Sequence, residues 1–325
     1  MEEIDRLIEK SLEGEKLATA RLISMVERGD ERASYILRKV YPHSGKAYYI
    51  GVTGPPGAGK STLVDRLVKL FCVNDYSVGV IGVDPCSPFT GGALLGDRVR
   101  MNIKHKEWDV FFRSMSAGRV MGGLAKTTKE ASRILDASGR KIIIIETVGV
   151  GQSELDIAQA TDTVLVVLVP ESGDSVQVMK AGLMEIADVF VVNKADRPGA
   201  ENIALSIQGM LDRSLRKREW KPPIFLTSAS LNKGLDQLYD GVWSHYRHLH
   251  HDCRLETRRK AQLKNELRQL IEAQFSEVIW RNIINNSKLE ELVEDVWEQK
   301  IDPQTIARKI VREQLRDTFE NNTVG

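Results

Sequence analysis

A glycine-rich run that begins at Gly54 has the residue types and the spacing of a phosphate-binding loop. The run is Gly54-Pro55-Pro56-Gly57-Ala58-Gly59-Lys60-Ser61, which fills every fixed position of the pattern G-x-x-x-x-G-K-[ST]. Its glycines allow backbone N–H groups to point into one concavity that holds phosphate oxygens. We expect Lys60 to reach the β and γ phosphates of a nucleotide, the Ser61 hydroxyl to bind Mg²⁺, and Thr62 to complete the binding loop.

A second motif has the residue types that select guanine. Asn193-Lys194-Ala195-Asp196 directly follows the strand-like residues Val189–Val192. The Asp196 carboxylate can accept hydrogen bonds from both N1–H and the exocyclic amine of guanine, a pair of donors that adenine does not offer in that arrangement. Lys194 is expected to lie along the base plane, and Asn193 to tie this loop to the phosphate loop.

A third stretch, Thr227-Ser228-Ala229, follows the strand-like residues that end at Leu226. We expect Ser228 and Ala229 to contact the nucleotide, with the backbone N–H of Ala229 donating to guanine O6. Taken alone, this stretch fits an ordinary strand-to-helix loop equally well. The other two motifs favour the base-binding interpretation.

Carboxylates at the ends of other predicted strands are candidate Mg²⁺ ligands. Glu146 ends the strand that begins at Lys141, and the N–H of Gly149 is placed to sense a γ-phosphate. Asp84 and Asp97 follow the second predicted strand, and the loop between them is rich in Gly, Pro and Ser. A loop of this length predicts a mobile switch that carries a second Mg²⁺ contact. The alternative for Asp97 is a solvated residue that only caps a helix.

The position that usually holds a water-orienting glutamine in small GTPases is occupied by Val150, and Gln152 lies two residues further on. We therefore expect slow basal hydrolysis, with Lys60, Asp97 and Glu146 as the catalytic groups.

A further irregular loop follows Pro170 and leads to Lys180. Its candidate switch residues are Asp174, Gln177 and Lys180. The alternative is a surface turn in which Asp174 caps the next helix.

Strand-like apolar runs alternate with helical stretches between residue 46 and about residue 250. The predicted strands are 48–53, 78–84, 110–115, 141–147, 163–170, 189–193 and 224–227. The helical stretches between them lie near 61–72, 120–138, 175–187, 200–217 and 232–247. Such alternation predicts a mostly parallel sheet covered on both faces, with ligand chemistry at the carboxyl ends of the strands.

Helical patterns flank this region on both sides. We predict an N-terminal helical arm over 1–45, a P-loop GTPase domain over 46–250 and a C-terminal helical region over 251–325. Three C-terminal helices could not easily bury all their apolar faces alone, so they pack on the GTPase domain, on a second subunit or on both. We favour dimerisation. The predicted fold class is thus α/β, with a helical arm and a helical dimerisation extension.

Composition limits the classes of partner. The chain has 325 residues and a formal net charge of +1, so no global charge favours nucleic acid or an anionic membrane. The three cysteines, Cys72, Cys86 and Cys253, are widely spaced, which disfavours a disulfide framework or a cysteine metal site. We expect a cytoplasmic protein, because no apolar run has the length of a signal peptide or a membrane span.

The combined motifs resemble the MeaB/ArgK branch of the G3E P-loop GTPases, which are chaperones of adenosylcobalamin-dependent acyl-CoA mutases. The motifs that carry the resemblance are 54–61, Val83-Asp84-Pro85, Leu95-Gly96-Asp97-Arg98, the run from Glu146 to Glu154, the run from Gly173 to Lys180, and 193–196. The similarity covers essentially the whole chain. It implies GTP and Mg²⁺ as cofactors, with the ion near Ser61, Asp97 and Glu146, and a homodimer through the C-terminal helices. It further implies that GTP gates cobalamin delivery to the mutase and protects or rescues that enzyme. Whether an adenosyltransferase also docks is left open.

Two other function classes are weighed against this interpretation. One is a metallochaperone GTPase that inserts nickel, for which the neighbouring residues His245, His248, His250 and His251 are the candidate ligands. Those histidines end a helix near a domain junction, where solvated or capping histidines are commoner. The other class is a small-molecule kinase, for which no substrate pocket signature is present.

Overall fold

The computed structural model describes residues 2–84, 108–116, 126–147, 156–170, 182–214, 219–285 and 288–320. All seven predicted strands are present, and they form one parallel sheet in the order β3-β2-β4-β1-β5-β6-β7. The strands are β1 Tyr48–Thr53, β2 Val78–Asp84, β3 Val110–Ser116, β4 Ile142–Thr147, β5 Thr163–Leu168, β6 Val189–Val192 and β7 Ile224–Leu226.

The described helices lie between and around these strands. They are α1 Glu2–Leu12, α2 Lys16–Glu27, α3 Ala33–Val40, α4 Lys60–Val73, α5 Lys126–Ala137, α6 Met184–Ile186, α7 Ala200–Ser214, α8 Leu235–His250, α9 Arg254–Asn285, α10 Lys288–Trp297 and α11 Pro303–Glu320. Short 3₁₀ turns occupy Tyr41–His43, Ile157–Gln159 and His251–Cys253. Only the end of the predicted helix 175–187 is described, as α6.

The central strand β4 shows why the sheet is covered on both faces. Its isoleucines are all buried, and successive side chains point to opposite faces. Ile142 and Ile144 pack in the cluster that contains α4 and α8, whereas Ile143 and Ile145 pack in the cluster that contains the arm and α5. The four isoleucines are therefore buried on both faces of the sheet, as the continuous apolar run predicted.

The N-terminal arm belongs to the same compact unit as the sheet. Leu22, Ile23 and Ile36 are completely buried and share a cluster with Ile134 of α5. The compact unit covers Met1–Arg259, so the arm contributes directly to the core of the sheet domain.

The second compact unit covers Lys260–Gly325 and its described elements are helical. Its last helix begins with a capped turn: Asp302 Oδ1 accepts a hydrogen bond from the Thr305 N–H at 3.0 Å, and Pro303 is the first helical residue. Large apolar side chains of this unit remain exposed, including Trp297 at 82%. Trp280, Leu289, Val293 and Trp297 are among the residues that line a pocket of about 790 Å³.

Among the described ranges, no helix combines the length and the apolar character needed to cross a lipid bilayer.

A buried histidine of α8 contacts residues at the amino ends of two strands. His245 is 1% exposed, its Nδ1 lies 2.7 Å from Thr163 Oγ1, and its Nε2 lies 3.4 Å from Asp188 Oδ1. Burial lowers the pKa of His245 to about 4 from the ordinary 6.5, an effect that the positive charge of Arg258 reinforces and the negative charges of Asp188 and Asp162 oppose. The folded protein therefore keeps this ring neutral at pH values where the unfolded chain protonates it.

We expect the free energy of unfolding to fall as the pH drops from 7 toward 4, because only the unfolded state takes up the His245 proton in that window. The contribution is up to about 3 kcal/mol, since each pKa unit is worth about 1.4 kcal/mol. Urea unfolding at pH 7, 6, 5 and 4.5 measures it. His245→Gln should flatten the pH dependence, while His250→Gln, at an exposed site on the same helix, should not. Equal pH dependence in the wild type and the His245 variant would contradict the assignment.

Candidate nucleotide-binding site

The phosphate loop connects β1 to α4 and needs glycine at its two ends. Gly54 has φ of 139°, and a Cβ there would lie 2.0 Å from the carbonyl oxygen of Val167 in β5. Gly59 has φ of 83°, and a Cβ there would lie 2.5 Å from Asn193 Nδ2. Both positions are closed to other residues, because the backbone is left-handed or mirror-extended and the space is filled. The phosphate loop therefore packs closely against β5 and against the loop that follows β6.

Lys60 is the first residue of α4, and its side chain folds back over the loop. Its Nζ donates to the carbonyl oxygens of Gly54 at 2.7 Å and Pro55 at 2.9 Å. The residue is only 6% exposed. The ammonium is thus held over the concavity, where it can stabilise negative charge on phosphate oxygens.

Ser61 and Glu146 meet at the carboxyl edge of the sheet. The Ser61 hydroxyl donates to Glu146 Oε1 at 2.6 Å, and Glu146 is 9% exposed. Their proximity follows from the sheet order, since β1 and β4 are neighbours and Val52 pairs with Glu146. A hydroxyl and a carboxylate are the oxygen donors that Mg²⁺ takes in nucleotide sites, so the residues present fit the ion.

The other predicted metal and switch residues are only partly covered by the structure. Asp84 ends β2 beside β4, at the same edge of the sheet, but its side chain is outside the described part. The residues that lie wholly outside the described ranges are Asp97, Gly149, Asp174, Gln177 and Lys180. Their roles remain predictions.

Asn193 joins the phosphate loop to the base-binding loops. Its Nδ2 donates to the Ala58 carbonyl oxygen at 2.8 Å. Its Oδ1 accepts from the Ala229 N–H at 3.1 Å and from the Thr227 hydroxyl at 3.2 Å. One buried amide therefore links three segments that are far apart in the sequence.

Asp196 and Ser228 are brought together in the same way. The Ser228 hydroxyl donates to Asp196 Oδ1, which orients the carboxylate that is expected to bind guanine. The two loops are also joined through the backbone, where the Ala195 N–H donates to the Thr227 carbonyl oxygen at 2.9 Å. Lys194, which directly precedes Ala195, has a left-handed backbone with φ of 56°.

The Ala229 N–H, which we expect to donate to guanine O6, donates to Asn193 Oδ1 at 3.1 Å in the structure. Ala229 is buried beside that amide, so this hydrogen bond helps to hold the base-binding loop in place. The contact with guanine O6 stays a prediction.

Sequence reasoning missed Arg66, one turn and a half after Lys60 in α4. Its Nε donates to the Ala229 carbonyl oxygen at 3.2 Å, which ties the helix of the phosphate loop to the third base element. No sequence signal could have found it, because the contact depends on how α4 packs beside a segment more than 160 positions later.

The four clustered histidines do not converge on a common point. His245 is buried against Thr163, His250 Nδ1 lies 2.9 Å from the Tyr246 carbonyl oxygen, and His251 pairs with Asp252. Within the part of the chain that the structure describes, no three His, Cys, Asp or Glu side chains form a group that could hold a metal ion.

Comparison with known proteins assigns the family. A family model described as "Methylmalonyl Co-A mutase-associated GTPase MeaB" matches residues 19–283. This chain belongs to the MeaB family. The MeaB-family chain is therefore a P-loop GTPase of the MeaB/ArgK type that binds guanine nucleotides.

Individual relatives cover most of the MeaB-family chain. A Pyrococcus abyssi protein is 46% identical over 316 residues, which are 95% of this chain and 96% of the relative. GTPase ArgK of Escherichia coli is 33% identical, and the match covers 85% of this chain and 86% of the relative. The mouse protein named methylmalonic aciduria type A homolog, mitochondrial, is 33% identical, over 73% of this chain and 61% of its own length.

A solved structure described as LAO/AO transport system kinase has a TM-score of 0.73 with this MeaB-family chain. It is 26% identical, and the match covers 96% of this chain and 97% of the solved one. The similarity extends over the sheet and the helical segments alike.

Proposed function

We propose that this GTPase is a G-protein chaperone of an adenosylcobalamin-dependent acyl-CoA mutase, either methylmalonyl-CoA mutase or a relative. It gates loading of adenosylcobalamin and protects or reactivates the mutase. The observation that supports the proposal is the match of residues 19–283 to a family whose description names an association with methylmalonyl-CoA mutase. The name of the mouse relative, which refers to methylmalonic aciduria, supports the same proposed function.

We infer that Ser61 and Glu146 hold a Mg²⁺ ion, together with Asp84 and Asp97. When bound, the ion neutralises charge on the β and γ phosphates. Ser61 and Glu146 are already hydrogen bonded to each other at 2.6 Å, which supports a shared ligand. Lys60 supplies a further positive charge for the phosphates.

The proposed location of the protein is the cytoplasm. The C-terminal helices are the proposed homodimer surface. Exposed apolar side chains on the second compact unit, among them Leu267, Ile271, Val293 and Trp297, support association through this unit. The switch role proposed for Asp174, Gln177 and Lys180 rests on the sequence.

The decisive experiment compares steady-state GTP turnover of the protein alone and with an adenosylcobalamin-dependent acyl-CoA mutase. We expect slow turnover alone and at least about tenfold stimulation by the mutase, since groups that complete a GTPase site contribute 10³ to 10⁵ in the best-known cases. Transfer of adenosylcobalamin to the apo-mutase is followed in the same samples.

The matched control is Lys60→Ala, which should bind the mutase but not be stimulated. Turnover by the isolated protein at the stimulated rate would contradict gating. Stoichiometric formation of a phosphorylated small molecule would instead identify a kinase.

A further inference from the structure

The first turns of α9 are bound to the amino edge of the sheet by three arginines. Arg254 Nε donates to Glu219 Oε2 at 2.9 Å. Arg258 donates to both oxygens of Asp188, with Nη1–Oδ1 and Nη2–Oδ2 distances of 3.0 and 2.8 Å. All these contacts lie within the compact unit Met1–Arg259.

Arg259 makes the remaining contacts. Its Nε and Nη2 donate to the Asp162 carboxylate at 2.9 and 2.6 Å. Its Nη1 and Nη2 donate to the carbonyl oxygens of Gly45 at 2.7 Å and Ala47 at 2.6 Å. Asp162 is 1% exposed, so its charge depends on this guanidinium for compensation.

Three of the five acceptor residues lie immediately before strands that carry or support the nucleotide loops. Ala47 precedes β1, Asp162 precedes β5 and Asp188 precedes β6. At their other ends, β1 leads into the phosphate loop, β6 leads into Asn193, and the carbonyl oxygen of Val167 in β5 lies against the phosphate loop. Because these strands are neighbours in a close-packed interior, they form a continuous packed connection between the nucleotide edge and the amino edge.

The connection between α8 and α9 interrupts the helical backbone. Asp252 and Cys253, which join the two helices, have φ values of 53° and 56°. Left-handed conformations are unfavourable for residues other than glycine, and they interrupt the helix. α9 is therefore not a rigid continuation of α8.

We propose that Arg258 and Arg259, in the first turns of α9, couple the nucleotide state of the sheet domain to the conformation of α9. Exchange of GDP for GTP displaces β1, β5 and β6, and the arginines transmit the displacement into α9. The coupling is reciprocal, so whatever fixes α9 also changes nucleotide affinity. The inference rests on binding of guanine nucleotides by the sheet domain and is independent of the mutase.

Hydrogen exchange of the full chain, saturated with GDP or with a non-hydrolysable GTP analogue, tests the coupling. In the wild type, amides over 254–270 should exchange at rates that differ at least about fivefold between the two nucleotides, the lower bound of typical allosteric couplings. The variants Arg258→Lys and Arg259→Lys keep the charge but lose the forked geometry. Each should lose the difference in α9 while retaining the nucleotide-dependent difference in the phosphate loop.

Arg268→Lys is the matched control, because Arg268 also lies in α9 but pairs with Glu272 of the same helix at 2.9 Å. It should behave as the wild type. Identical exchange in α9 with both nucleotides in the wild type overturns the proposal, and this result does not depend on whether a variant folds. Retention of the difference in both arginine variants, or its loss in Arg268→Lys, overturns it equally.

Discussion

Lys60→Ala is expected to reduce GTP turnover by at least about 10²-fold, the usual cost of removing one preorganised group that stabilises transition-state charge. The Nζ of Lys60 is held over the phosphate loop by the carbonyl oxygens of Gly54 and Pro55, at 2.7 and 2.9 Å. No other side chain of the loop run carries a positive charge. The rate of phosphate release under saturating GTP measures the effect.

Lys69→Ala provides the control for the Lys60 variant. Lys69 lies on the same helix, but its side chain is exposed and belongs to no part of the predicted site. It should hydrolyse GTP at the wild-type rate. Unchanged turnover in Lys60→Ala would show that hydrolysis occurs elsewhere.

Asp196→Asn should lower GTP affinity by about 10²-fold or more and shift the preference toward xanthosine nucleotides. The amide keeps only one acceptor oxygen, so one hydrogen bond to a charged group is lost and the other becomes a neutral one. Hydrogen bonds to charged groups are worth roughly 1.5–3 kcal/mol each. The amide can instead donate to the O2 carbonyl of xanthine. Competition of GTP, XTP and ATP against a fluorescent GDP analogue measures the preference.

Ser228→Ala is the companion variant for Asp196→Asn. It removes only the hydroxyl that orients the Asp196 carboxylate, so GTP affinity should fall less and the order of preference should not change. Equal binding of ATP and GTP by the unmodified protein would disprove the assignment of 193–196 as the guanine motif.

The sheet and the ends of its strands could be predicted from local signals. Apolar runs such as Ile142–Ile145 predict strands buried on both faces, and the parallel topology places the residues after each strand at one edge. The meeting of Ser61 with Glu146 follows from that rule. The strand at 163–170 is shorter than predicted, because β5 ends at Leu168.

The contacts that depend on packing between distant elements could not be predicted. Arg258 and Arg259 lie in a helix with many charged residues, and nothing local distinguishes them from the solvated Arg268. Trp220 illustrates the same difficulty. It lies in a run rich in basic residues, a pattern typical of a solvated surface, yet its Nε1 donates to the Asp188 carbonyl oxygen at 2.7 Å.

The order of the strands also has a consequence for synthesis of the chain. The phosphate loop is complete once Ser61 has left the ribosome, but its preceding strand β1 pairs with β4 and β5, which are synthesised later. The side-chain amide that donates to the Ala58 carbonyl oxygen belongs to Asn193, 135 residues further along the chain. Contacts so distant in sequence form late and slowly. A nascent chain therefore carries the whole phosphate-binding motif long before it can hold a nucleotide, so GTP can stabilise this domain only near the end of its folding.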